Sequence, residues 1–271
     1  MSNFFINQVG DYIGSSLSQA NMIMARNEMH KKARESFIQL VKFEIIDSGD
    51  LFNHIYQEFL IQHNRNQKYH DWYHICCVIS NLCEGIEFNI ENNILLEGTQ
   101  CQINAVLIAA AFHDIGHRGL LVPDSVNISK SVIIAEEFIS KHSLRKDPNL
   151  DESFLYACIQ STQYPSSKDP DCELHAILRD ADLLQILEIT WFKDIYIHMY
   201  EEFLDQNPDL KFKQFCINEK NFMMNAKFFS QWWSQCIKEK FYNIVLGRVD
   251  SVLSAVELLE SNRPLVKVIT N

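Results

Sequence analysis

Apolar residues recur at helical spacing in segment after segment, and only 8 Gly and 6 Pro interrupt 271 residues. A sandwich or barrel needs a turn signal every ten residues or so, so this scarcity excludes most β architectures. Alternating βαβ patterning, internal repeats and low-complexity tracts are all absent. The expectation is one all-α domain, with 47% apolar residues supplying a buried core. Residues 1–27 read as a separate amphipathic helical arm and 28–271 as the domain.

Helices are predicted over 28–47, ended by Ser48-Gly49-Asp50, and over 51–62. A polar loop, 63–68, precedes another helix at 70–84 that stops near Gly85. The apolar run 105–112 reads as a fully buried helix delivering His113 and Asp114 at its C-terminal end, broken by Gly116 and Gly119. Further helices are expected at 130–142 with Ser129 as N-cap, at 151–162, across two pieces of 173–205, and as one long or kinked stretch over 219–260. The long C-terminal helix and the apolar arm are compatible with a homodimer.

Lys and Arg total 24 against 35 Asp and Glu, a formal charge of −11. That balance disfavours duplex nucleic acid and acidic membranes as partners. It leaves room for a small phosphorylated substrate, because a bound metal can dominate the local field. With neither a signal-peptide pattern nor a membrane-length apolar run, a cytoplasmic protein without membrane association is expected. The eight cysteines form no CxxC pair and mostly sit in apolar periodic segments, as small core hydrophobes do.

Chemistry concentrates in two stretches, His70-Asp71-Trp72-Tyr73-His74 and His113-Asp114-Ile115-Gly116-His117. Each pairs two histidines at i and i+4, which on a helix share one face. Imidazoles combined with carboxylates suit a divalent metal. His113 and Asp114 offer an imidazole and a carboxylate on adjacent residues, and His74 adds a second imidazole. Asp182, in the apolar segment Leu178-Arg179-Asp180-Ala181-Asp182-Leu183-Leu184, is the best candidate for a fourth ligand, since an unpartnered carboxylate there is costly to bury. Asp180 is expected to be solvated, or paired with Arg179 or Lys193.

In these motifs the chain resembles the HD superfamily of metal-dependent phosphohydrolases, an all-α family whose pattern is a His, then His-Asp, then a distant Asp. His74, His113, Asp114 and Asp182 match in that order. The similarity is closest to the subgroup containing cyclic nucleotide phosphodiesterases. Its first motif, Tyr-His-Asn-x-x-His-Ala, compares with Tyr69-His70-Asp71-Trp72-Tyr73-His74-Ile75. Its second, His-Asp-x-x-His-x-Gly, is matched by His113 through Gly119. A third, Ala-Thr-Asp-Met-Ser, is similar to Ser161-Thr162-Gln163-Tyr164-Pro165. Asp71 stands where the family has Asn, and Gln163 where it has Asp.

The resemblance implies a phosphodiesterase-like helical bundle holding one or two divalent ions, with Mn, Mg, Fe, Ni and Zn all compatible with the ligands. It implies hydrolysis of a nucleotide phosphoester, with cyclic nucleotides or cyclic oligonucleotides leading. A 5′-nucleotidase, an alarmone hydrolase and an HD-type di-iron oxygenase are the alternatives. A catalytically dead nucleotide sensor is a further class, opposed by the complete ligand set. His70 would occupy the family's general-acid position, oriented by Asp71 or another carboxylate. His117 could act at the site by binding a second metal, holding a bridging water through a carboxylate or contacting phosphate, or could be purely structural. Arg118 could clamp phosphate or be a solvated loop residue. Asn127 and Thr162 could contact a phosphate, a base or a water, or cap helices. Gln231, among Phe228-Phe229-Ser230-Gln231-Trp232-Trp233, could read a base edge or belong to a packed aromatic group. His142, His175 and His198 fit no motif and are expected at the surface.

Overall fold

The computed structural model describes residues 3–63, 67–95, 100–118, 122–165 and 168–261, and among them every regular element is helical. In chain order these are α1 (Asn3–Tyr12), α2 (Gln19–Leu40), α3 (Ser48–Gln62), α4 (Trp72–Glu91), α5 (Gln100–Phe112) and α6 (Asp124–Lys141). They continue with α7 (Glu152–Ser161), α8 (Glu173–Asp182), α9 (Tyr200–Gln206), α10 (Phe212–Asn225) and α11 (Lys238–Ser261). A tight 3₁₀ turn, Leu184–Leu187, and a π-helical segment, Phe192–Met199, connect α8 to α9, and a second π segment, Trp233–Ile237, leads into α11. No described helix is long and apolar enough to cross a membrane.

The architecture is organised around α4 and α5. Every residue from Ile103 to Phe112 is buried, as expected of a helix that is apolar on all sides. Each large apolar side chain buried there contributes about 1.5–3 kcal/mol. The one polar exception, Asn104, is satisfied: its Nδ2 donates to the carbonyls of Lys42 at 2.7 Å and Asn149 at 2.8 Å, and its Oδ1 accepts the Lys42 N–H at 3.0 Å. Helices α4, α6, α7 and α8 all pack on α5. The ionisable groups at the end of α5 therefore sit at the edge of a fully buried part of the core.

Several boundaries differ from those the sequence suggests. Helix α2 begins at Gln19, capped by Ser18, so positions 27 and 28 lie inside one continuous helix. Phe5, Ile6 and Val9 of α1 are buried, and at Gly10 a Cβ would come within 2.5 Å of the Phe192 ring. Ser48-Gly49-Asp50 starts a helix rather than ending one, because the Asp47 carboxylate accepts the Gly49 N–H at 2.8 Å and the Asp50 N–H at 3.1 Å. Helix α6 starts five residues before Ser129, whose hydroxyl instead donates to the Ser125 carbonyl at 2.7 Å.

Gly85 does not end α4, which continues to Glu91. A Cβ at Gly85 would meet Ile177 Cγ2 at 2.4 Å and the Trp232 ring at 3.0 Å. Glycine there lets α4 and α8 approach closely. The expected helix over 219–260 is split at 226–230, since buried Asp180 takes the Phe229 and Ser230 amides and the Ser230 hydroxyl, the last at 2.6 Å. Asp180 is thus neither solvated nor paired with Arg179 or Lys193; burial, opposed by these hydrogen bonds, raises its pKa to about 6. Gly119 and parts of the 63–68 and 166–170 loops lie outside the described residues.

Candidate metal centre

Three helix ends converge on one point. His74 lies in the first turn of α4, whose start is set by Asp71: one carboxylate oxygen accepts the N–H of Tyr73 at 2.9 Å and of His74 at 3.1 Å. His113 and Asp114 follow immediately after α5, where the chain leaves the helix in a turn closed by Gly116 at φ +73°. A residue with a Cβ is strained at that angle. The Ser131 hydroxyl holds the turn by donating to the His113 carbonyl at 2.7 Å. Because the turn is no longer helical, adjacent His113 and Asp114 can face the same point. Asp182 is the last residue of α8.

The four candidate ligand atoms lie within 4.8 Å of one another. His74 Nε2 is 3.3 Å from His113 Nε2, 3.3 Å from Asp114 Oδ2 and 3.2 Å from Asp182 Oδ1. His113 Nε2 is 3.2 Å from each of the same two carboxylates. Ligand bonds of about 2.0–2.2 Å place neighbouring donors roughly 3.0–3.5 Å apart, so these separations fit a shared ion.

Protonation makes the same point. His113 Nδ1 sits 2.8 Å from the Ala110 carbonyl, which can only accept, so the ring proton is on Nδ1. His74 Nδ1 likewise faces Gln185 Oε1 at 2.8 Å. Both Nε2 lone pairs then point at each other and at two carboxylate oxygens. Four acceptors converging in a largely buried site form a group that could hold a cation. With protons as the only cations, burial pushes the His74 pKa down, but Asp114 and Asp182 outweigh it and raise it to about 10. The same balance raises His113 well above its ordinary value. Both carboxyls are held low, against burial, chiefly by His113. The donor set of two imidazoles and two carboxylates, without thiolate, fits a divalent ion of the Mg to Zn range.

A second histidine pair flanks this group. His70 and His117 stack with ring centroids 3.9 Å apart and planes at 19°, and His70 lies 6.0 Å from the His74 ring. His70 Nδ1 donates to Glu202 Oε2 at 2.7 Å, while Glu202 Oε1 accepts the Tyr69 N–H at 2.7 Å. Burial lowers the His70 pKa, yet Glu202 reverses this and raises it. His117 is pushed down to about 4, by burial and then by the charge of His70. Its Nε2 accepts from Asn127 Nδ2 at 3.0 Å. The two stacked imidazoles thus have pKa values driven apart, His70 shifted towards the protonated form and His117 towards the neutral one.

Asp71 caps α4 and forms an ion pair with Arg26; the carboxylate on His70 is Glu202. Asn127 is buried, and its Oδ1 accepts the Arg118 N–H at 3.0 Å while its amide holds His117. It braces the turn after the metal ligands. The Arg118 side chain is exposed beside that turn. Thr162 closes α7, its hydroxyl donating to the Ile159 carbonyl at 2.8 Å.

Gln231 is exposed, and its backbone N–H donates to the Glu173 carboxylate at 2.7 Å. Its neighbours Phe228 and Trp233 stack on each other at 3.5 Å, the packed-aromatic alternative. His175 is buried against Phe154 rather than exposed, and half-buried His198 faces Asp194. His142 caps α6 and stacks on His54.

Glu202 and Gln185 are the functional candidates that sequence reasoning missed. Gln185 carried a usable signal, as a lone amide in the apolar run Leu183-Leu184-Gln185-Ile186-Leu187 that must find a partner. Glu202 carried none, standing next to a second glutamate in Tyr200-Glu201-Glu202-Phe203. No model of a known protein family matches this chain, and no curated protein matches it.

Proposed function

We propose that the protein is a metal-dependent phosphohydrolase of the HD type that cleaves a phosphoester of a nucleotide. One observation carries this reading: a two-His, two-Asp ligand group stands beside a Glu202-held, proton-rich histidine. Ligation alone would suit storage or redox chemistry as well. A protonated imidazole 6.0 Å from a ligand ring suits hydrolysis, because an alkoxide leaving group needs a proton.

His74, His113, Asp114 and Asp182 would hold the ion. When bound, a divalent cation polarises a phosphoryl oxygen and brings the pKa of water towards neutrality. His70, kept protonated by Glu202, donates from Nε2 to the departing oxygen. His117 lies flat against His70 and, being neutral, adds no repulsion to the charged ring. Asn127 keeps His117 in place, and Gln185 and the Ala110 carbonyl keep both ligand histidines aimed at the ion.

The test is a panel of cyclic nucleotides, cyclic dinucleotides and linear nucleotides incubated with the Mn²⁺-loaded protein, products identified by chromatography. Cleavage of a phosphoester in at least one is expected. Cleavage of none, with bound iron and oxygen uptake, overturns the proposal in favour of an oxygenase.

A further inference from the structure

Resting on that reading, we propose that Arg118 and Lys130 form a subsite for a second phosphate, so that the substrate is a nucleotide carrying at least two phosphate groups. The Lys130 side chain lies across the turn that follows the ligands: its Nζ donates to the Gly116 carbonyl at 3.1 Å, and a Cβ at Gly116 would meet that Nζ at 3.0 Å. Gly116 is two residues from Asp114, which puts the ammonium within roughly 10–12 Å of the ligand's Cα. Arg118 leaves the same turn two residues later, its backbone pinned by Asn127 and its guanidinium exposed.

Among the described residues neither cation pairs with a carboxylate, in a chain with 35 acidic side chains. The two repel each other instead. Lys130 is shifted down by burial and then by the charge of Arg118. Both cations flank the turn Gly116 to Arg118, and an anion bound beside that turn would be favoured by each of them. A guanidinium with parallel donors and a nearby ammonium match phosphate oxygens.

Charge counting explains why a second site is needed. Asp114 and Asp182 together neutralise one divalent ion, so a centre with one ion offers no net charge to a further phosphate. Asp124, whose carboxyl is raised by burial and then by the charges of Asp114 and Asp182, adds another acidic group nearby. Arg118 and Lys130 put positive charge on the turn that follows the ligands and draw in an anion against the chain's net charge. A cyclic mononucleotide has its only phosphate at the metal and cannot use them. A cyclic dinucleotide or a nucleotide bisphosphate can.

Binding separates this subsite from the chemistry. Adenosine 3′,5′-bisphosphate and adenosine 5′-monophosphate are titrated into Mn²⁺-loaded wild type and into Arg118→Gln/Lys130→Gln, with circular dichroism confirming the fold. In the variant, the preference for the bisphosphate should fall about tenfold or more, as expected for lost charge-assisted hydrogen bonds. In turnover, the ratio of kcat/KM for cyclic dinucleotide over cyclic mononucleotide should fall similarly. An unchanged preference, or equal weakening of both ligands, overturns the subsite. If the wild type cleaves nothing yet the binding preference falls, the subsite stands and the hydrolase reading fails.

Discussion

Glu202 Oε2 lies 2.7 Å from His70 Nδ1, although the two residues are 132 apart in the chain. The other oxygen of Glu202 accepts the Tyr69 and His70 amides, so one buried carboxylate fixes both the ring and the backbone that carries it. His70→Ala should therefore keep its metal and lose turnover by about 10²–10⁴, the usual worth of general acid catalysis. Glu202→Gln should lower kcat by about tenfold or more with little change in KM, as expected when a group that orients another is weakened. Steady-state kinetics alongside elemental analysis checks both.

Asp114 and Asp182 each face both Nε2 atoms, so removing either carboxylate leaves two imidazoles with half the charge needed to hold a divalent ion. Asp114→Ala and Asp182→Ala should lose metal during dialysis while remaining folded. Elemental analysis after dialysis measures the loss, and a retained full complement of metal would rule that residue out as a ligand.

Gly85 couples packing to the centre, because α4 carries His74 and α8 carries Asp182. Gly85→Ala places a methyl 2.4 Å from Ile177 Cγ2, and overpacking of this kind costs about 1–3 kcal/mol. Chemical denaturation should show that loss. Metal affinity should weaken as well, since the two helices can separate only by moving the ligands apart.

Glu219 is buried in α10, and burial raises its pKa to about 7 from an ordinary 4.5. The folded protein therefore holds this proton more tightly than the unfolded chain does. Its contribution to stability is fully present below about pH 4.5 and is lost progressively as pH rises to about 7, beyond which it no longer changes. Glu219→Gln, with no proton to lose, should gain roughly 1–3 kcal/mol at pH 8 relative to wild type and flatten the profile between those limits. Urea melts from pH 5 to 8 measure it.

The four ligand candidates were legible because their spacing is local, or because an acid in an apolar run demands a partner. The all-helical class was legible from periodicity. Helix ends were harder to read. Gly85 reads as a stop when only neighbours in sequence are considered, yet its role is set by Ile177 and Trp232 on other elements. Ser48-Gly49-Asp50 contains residues that favour both ends of helices, and the preceding Asp47 decides for a start. Asp180 looked solvent-facing because its partners, Phe229 and Ser230, lie some fifty residues on. Glu202 was invisible for the same reason: its effect depends wholly on a tertiary contact with His70.

The most direct test is to strip the wild-type protein with a chelator and follow phosphoester cleavage and metal content together as Mn²⁺ is restored. The expected result is loss of cleavage on stripping and its return in proportion to bound metal, with Asp182→Ala recovering neither. Full cleavage by protein shown to be free of metal would contradict the account.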